Sequence, residues 1–219
     1  MSAYYPIMMD LRSALCVLIG GGKVAQRKIA ALLEAGADVL VISPSVHPQI
    51  AEWNQHGRIR VNLRQYTGAG DLIGARLVFA TTDTDEVNLA VCRDAKQLGI
   101  PVNDASVPDR GSFTVPASMR RGKLHLAVST SGASPQLARM IRDELSDQYG
   151  LEYEQYVDLL AELRQLVMSR VLDAAIRNEI FQKAVRFDIL EMIRAGQVDE
   201  CRHRIWVMLD DKTDNRMGD

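Results

Sequence analysis

The residues best suited to chemistry fall in three stretches. The first is Gly20-Gly21-Gly22, which follows the β-branched apolar run at 16–19 and precedes Ala25, Ile29, Leu32 and Leu33 at helical spacing, with Gly36 closing the pattern. Gly20-x-Gly22-x-x-Ala25 is the G-x-G-x-x-A form of a dinucleotide fingerprint. Gly20 permits the tight turn out of the strand, Gly22 leaves the backbone bare for a pyrophosphate, and Ala25 lets helix and strand pack closely. A helix opening near Lys23 points unpaired N–H groups and the positive end of its dipole at that phosphate. The second stretch is Ile100-Pro101-Val102-Asn103-Asp104-Ala105. Here Asp104 is expected just past a strand, where a carboxylate can serve as a general base or, as an Asx turn, can simply cap the loop. The third is Ser129-Thr130-Ser131-Gly132-Ala133-Ser134-Pro135, whose hydroxyls and helix start favour an anion and equally make an ordinary N-cap.

The elements that must position these groups alternate. Strands are expected at 16–19, 38–42, 59–63, 77–80 and 100–102, with helices between them, including one at 46–56 and one opened by an Asp83–Glu86 capping box and ended by Gly99. This order predicts an α/β fold, a Rossmann-like parallel sheet with helices on both faces. The pattern then changes. Residues 112–115 and 124–129 read as an antiparallel pair around the basic turn Arg120-Arg121-Gly122-Lys123, and Ser134-Pro135 starts a helix that Gly150 closes. Beyond 150 the chain reads as helical, with apolar stripes at Tyr156, Leu159, Leu160, Leu163, Leu166 and Val167, at Ile180, Val185, Ile189, Leu190 and Ile193, and at Ile205, Val207 and Leu209. The expected organisation is a nucleotide-binding domain at 1–111, a small strand–helix (α+β) dimerisation segment at 112–149 and an all-helical C-terminal domain at 150–219.

Composition excludes several alternatives. A net charge of −2 gives no reason to expect nucleic acid as a partner. Three scattered cysteines form no C-x-x-C, which argues against a disulfide framework and fits a reduced, cytoplasmic setting. Neither a signal peptide nor an apolar run of about 18 residues is present, so no membrane association is expected. The four histidines lack ligand spacing, and no metal site is expected. Tyr-x-x-x-Lys and G-x-S-x-G pairs are missing, so a catalytic group must lie at the ends of the later strands. After strand two the chain reads Val41-Ile42-Ser43-Pro44-Ser45, without the acid that usually holds the ribose of NAD and without an arginine for a 2′-phosphate. Ribose must therefore be held by backbone groups or by the hydroxyls of Ser43 and Ser45. Thr81 and Thr82 follow strand four at the ligand-binding edge of the sheet.

These stretches together resemble a known family. V-L-I-G-G-G-K-V-A-Q-R-K, L-L-E-A-G-A, A-T-T-D-T-D-E-V-N, P-V-N-D-A, S-F-T-V-P-A and L-A-V-S-T-S-G-A-S-P-Q-L-A-R occur in the order found in the N-terminal module of siroheme synthase and in the stand-alone precorrin-2 dehydrogenases, some of which are also sirohydrochlorin ferrochelatases. The resemblance covers roughly residues 6–145. It implies that precorrin-2 loses two hydrogens to NAD to give sirohydrochlorin, with iron insertion as a possible further activity, and that the protein is a homodimer. It implies Asp104 as the catalytic carboxylate and Lys23, Val24, Pro44 and Ser45 as nucleotide contacts, with Thr130 standing where siroheme synthase has a serine. Ser131 and Ser134 share that substrate-side loop. A substrate with eight carboxylates calls for cations, and Arg110, Arg120, Arg121, Lys123, Arg139 and Arg142 are available after the sheet; Arg139 and Arg142 lie three apart on one helix. Two other readings use the same glycine loop: an NAD(H)-sensing regulatory module without chemistry, and a dehydrogenase of another small substrate.

Overall fold

The fold is that of a computed structural model, which describes residues 4–186 and 188–214. By internal contacts the chain divides into two compact units, Met1–Val115 and Pro116–Asp219. The first contains β1 (Leu15–Ile19), α1 (Lys23–Glu34), β2 (Asp38–Ile42), α2 (Pro48–Gln55), β3 (Arg60–Asn62), β4 (Leu77–Ala80), α3 (Asp85–Gln97) and β5 (Val102–Asp104). Its strands form one parallel sheet in the order β3-β2-β1-β4-β5.

The apolar run of β1 has to serve two faces, because a parallel sheet is covered on both sides. Alternation divides it. Cys16 and Leu18 pack with Ala25, Ile29 and Leu32 of α1 and Ile50 of α2. Val17 and Ile19 pack with Val91, Cys92 and Ala95 of α3 on the other face. The chain runs outward from β1 through β2 to β3 on one side, and through β4 to β5 on the other. The carboxyl ends of β1 and β4 thus flank the switch point at which ligands bind in such sheets.

Three expected boundaries shift for physical reasons. The fifth strand is Val102–Asp104, not 100–102, so Asp104 ends the strand instead of following it. The Asp83–Glu86 box is not formed: Thr84 is the N-cap of α3 and makes no side-chain cap bond. The Thr84 hydroxyl points back to Asp83 Oδ1 at 3.4 Å, and ahead of the helix Asn88 Oδ1 accepts from the Thr82 N–H at 3.1 Å. α2 begins at Pro48, with His47 Nδ1 accepting from the Gln49 N–H at 3.3 Å.

The second unit opens with a hairpin of β6 (Ala117–Arg121) and β7 (Leu124–Val128). Residues 112–115 are not its first strand. The Ser112 N–H bonds to the Val102 carbonyl at 2.7 Å, which keeps this stretch with β5, and Pro116 has no N–H to donate. α4 (Pro135–Gln148) packs on both hairpin strands. α5 (Glu152–Arg170), α6 (Ala174–Arg186), α7 (Ile189–Arg194) and α8 (Val198–Asp214) enclose a core that includes Leu159, Leu163, Val167, Ile180, Ile189 and Cys201. Val185 and Val207, expected in the apolar stripes, are exposed. The side chains of Ile205 and Leu209 lie outside the described residues. Among the described residues no helix is long and apolar enough to cross a membrane.

Candidate dinucleotide site

The glycine turn sits where β1 gives way to α1, and each glycine has its own surroundings. Gly20 has φ +108°, and a Cβ there would lie 2.6 Å from the Thr81 carbonyl oxygen. Gly21 is pressed against the loop after β2: a Cβ would meet the Ser45 carbonyl at 2.5 Å, and its own carbonyl accepts from the His47 N–H at 2.7 Å. Around Gly22 nothing lies within 4 Å of where a Cβ would stand. Gly22 is also the N-cap of α1 and has no side chain to cap it, so among the described residues the first N–H groups of that helix have no side-chain cap bond. Bare backbone, open space and uncapped donors fit a pyrophosphate. Lys23 and Val24 are exposed beside it.

The neighbouring loops hold this turn in place. The Thr81 hydroxyl donates to the Ile19 carbonyl at 3.0 Å and is buried, so it braces the turn from β4. Thr82 Oγ1 lies 2.8 Å from Asn88 Oδ1 and accepts from the Thr84 N–H. The Ser43 hydroxyl donates to the Ser45 carbonyl at 2.7 Å and therefore shapes the loop after β2. Pro44 and Ser45 are exposed at its tip, so of the two serines Ser45 is the exposed one.

Register aligns Ile19, Ala80 and Asp104 along one edge of the sheet. Asp104 therefore reaches the level of the glycine turn, but alternation turns its side chain to the α3 face, with Val102. The residue is 1% exposed. Its Oδ1 accepts from the N–H groups of Ser106 at 2.8 Å and Val107 at 3.0 Å, the Asx-turn arrangement. Its Oδ2 has the Cys92 thiol and the Arg110 guanidinium each at 3.9 Å. Burial, with Asp104 adding to it, pushes the Cys92 thiol up to about 11, so Cys92 stays protonated at neutral pH. Arg110 is engaged by Asp85, whose carboxyl it holds below the ordinary carboxylate value.

Asn88 and Lys28 were not identified by sequence reasoning. The Asn88 side chain, 1% exposed, also donates to the Thr82 carbonyl at 3.0 Å and to Ser106 Oγ at 3.3 Å. It thus ties the loop after β4 to the loop after β5. Its only sequence signal is its place in the Thr-Thr-Asp-Thr-Asp-Glu-Val-Asn run. Lys28 donates to Asn103 Oδ1 at 2.8 Å.

The remaining candidates belong to the second unit. Thr130 Oγ1 accepts from the Ser134 N–H and donates to its carbonyl, both at 3.0 Å. Ser134 caps α4 through the Leu137 N–H at 3.2 Å, and Ser131 has φ +51°. The hydroxyls of Thr130 and Ser134 thus close their own loop. Among the cations, Arg121 is held by Ser146 and Tyr149, Lys123 by Asp158 and Arg142 by Asp143. Arg120 donates to the Gly122 carbonyl, and Arg139 is exposed on α4.

A parallel sheet with a glycine turn at its switch point and an uncapped helix start behind it defines a dinucleotide-binding protein of the Rossmann type. Residues 7–117 match the family model described as putative NAD(P)-binding, and residues 121–148 match the model for the central part of sirohaem biosynthesis proteins. The chain belongs to the family of siroheme synthases and precorrin-2 dehydrogenases. It is 36% identical over 214 residues to a siroheme synthase of Methylobacillus flagellatus, covering 98% of this chain and 46% of that protein. It is 34% identical to a precorrin-2 dehydrogenase of Priestia megaterium, covering 83% of this chain and 89% of that one. The solved structure of SirC, a precorrin-2 dehydrogenase, aligns with TM-score 0.74 and 31% identity over 92% of this chain and 98% of its own. The chain spans about half the length of the siroheme synthases it matches.

Proposed function

We propose that this protein oxidises precorrin-2 to sirohydrochlorin with NAD as acceptor. The observation that carries the reading is the open backbone at Gly22 ahead of the uncapped α1, in a chain whose relatives include a precorrin-2 dehydrogenase along nearly its whole length. When bound, NAD supplies the hydride acceptor. In this reading Gly20, Gly22, Lys23 and Val24 seat the pyrophosphate, Ser45 and the backbone of Pro44 meet the adenosine ribose, and Thr81 and Thr82 line the approach with Ser43 shaping its far side. Thr130, Ser131, Ser134, Arg120 and Arg139 serve the acidic substrate. A homodimer in the cytoplasm is part of the same proposal, and sedimentation equilibrium measures the dimer.

Asp104 is given two duties. Oδ1 holds the loop through Ser106 and Val107, and Oδ2 takes the proton that leaves the macrocycle as hydride departs from a neighbouring carbon. Because the side chain is closed to solvent, the second duty requires the loop after β5 to move when substrate binds. The test is turnover of precorrin-2 with NAD by the purified chain, followed as visible absorbance of sirohydrochlorin. Asp104→Asn keeps an acceptor for both N–H groups and removes the base. It is expected to lose roughly 100-fold in kcat with unchanged NAD affinity, whereas Asp104→Ala loses the loop as well. Full turnover by Asp104→Asn would assign the residue to the loop alone. NAD binding by wild type without turnover would point to a sensing module. Sirohydrochlorin with Fe²⁺ in the same cuvette reads out chelation.

A further inference from the structure

On β5, the side chain that faces the α1 side of the sheet is not Asp104 but its neighbour Asn103, in register with Phe79. Asn103 Nδ2 donates to the Phe113 carbonyl at 3.1 Å, and its Oδ1 accepts from Lys28 at 2.8 Å. Lys28 reaches across from α1, its ammonium 5.2 Å from the centre of the Phe79 ring, which meets Phe113 edge-on at 5.5 Å. An ammonium has three donors. This one has a single acceptor and one aromatic face, and no carboxylate partner among the described residues. Burial lowers its pKa, and the neighbouring Arg27 lowers it further. A partly desolvated cation with donors to spare is a poor strut, because a neutral side chain would bind Asn103 without the desolvation cost. It is a good receptor for an anion.

Position decides which anion. The pyrophosphate seat is at Gly22, on the turn after β1. Asn103 is in register with Phe79, and Phe79 with Leu18, so the Asn103 backbone lies two strands from β1, roughly 10 Å across the sheet, and Lys28 Nζ is held over β4 and β5 between Phe79 and Asn103. We propose that Lys28, steadied by Asn103, binds a carboxylate of the macrocyclic substrate on the α1 side of the sheet edge, with Phe79 and Phe113 as the apolar wall beneath it. This inference rests on the proposed function for the identity of the substrate and adds a specificity-determining cation to it.

The test uses the full chain with Lys28→Met and Lys28→Arg. Three quantities are measured: the dissociation constant of sirohydrochlorin by visible absorbance, that of NAD by protein fluorescence, and KM for precorrin-2. Lys28→Met is expected to weaken sirohydrochlorin binding and raise KM by roughly tenfold or more, leaving the NAD constant within about twofold. Lys28→Arg, which keeps the charge, is expected to recover most of the loss. Unchanged sirohydrochlorin binding by Lys28→Met, or an equal loss of NAD affinity, would overturn the proposal; the latter would hand the cation to the dinucleotide. If wild type binds sirohydrochlorin through Lys28 but does not oxidise precorrin-2, the proposed reaction falls while this carboxylate site stands.

Discussion

Three adjacent glycines do three different jobs, and substitution should separate them. At Gly22 a methyl group has open space, so Gly22→Ala should fold within about 1 kcal/mol of wild type and lose roughly tenfold or more in NAD affinity. At Gly21 the same methyl would collide with the Ser45 carbonyl, so Gly21→Ala should cost about 1–3 kcal/mol of stability. Thermal melts with an NAD titration of both variants check the pair; equal loss of stability in both would refute the assignment. The fingerprint spacing made Gly20 and Gly22 legible. The need for Gly21 depends on where the loop after β2 comes to rest, which no local spacing encodes. Asn88 was invisible for the same reason, since its partners Thr82 and Ser106 are brought together only by the sheet.

Among the elements, strands and helices of the first unit follow the sequence pattern closely, while their ends follow side-chain bonds. The bend between β3 and the 3-10 turn at Ala69–Leu72 shows such a bond at work. Asp71 takes two hydrogen bonds from Arg64 and two from Thr67. Arg64 foremost holds its carboxyl at about 2, against an ordinary 3.8. A carboxylate depressed in the folded state stabilises above its ordinary value and loses that contribution as pH falls through its folded one. Asp71→Asn should therefore melt below wild type at neutral pH, and the gap should close between about pH 4 and pH 2. Melting midpoints across that range measure it, and a gap independent of pH would exclude the ion pair as its source.

Across the whole molecule, each unit owns its core. Leu163 is buried among Tyr156, Leu159, Val167 and the helices that follow, while the glycine turn is supported by β1, β2 and β4. Leu163→Ala should cost about 2–5 kcal/mol of stability and leave the NAD dissociation constant unchanged. Denaturant unfolding beside an NAD titration decides this, and a parallel loss of NAD affinity would show that the two cores are coupled. The division of the chain at 115 and 116 also separates the candidate residues. The nucleotide residues, Asp104 and Lys28 belong to the first unit, and Thr130, Ser134, Arg120 and Arg139 to the second.

The order of residues alone determined the alternation of strands and helices, the glycine turn and the family, because these rest on periodicity and on contacts between near neighbours in the chain. Tertiary structure decided which way Asp104 and Asn103 face, which serine of the loop after β2 is left exposed, and that Lys28 arrives beside β5. Those outcomes depend on strand register and on partners far apart in sequence. The fifth strand ends at Asp104, two residues beyond the expected 102, and there its carboxylate is enclosed.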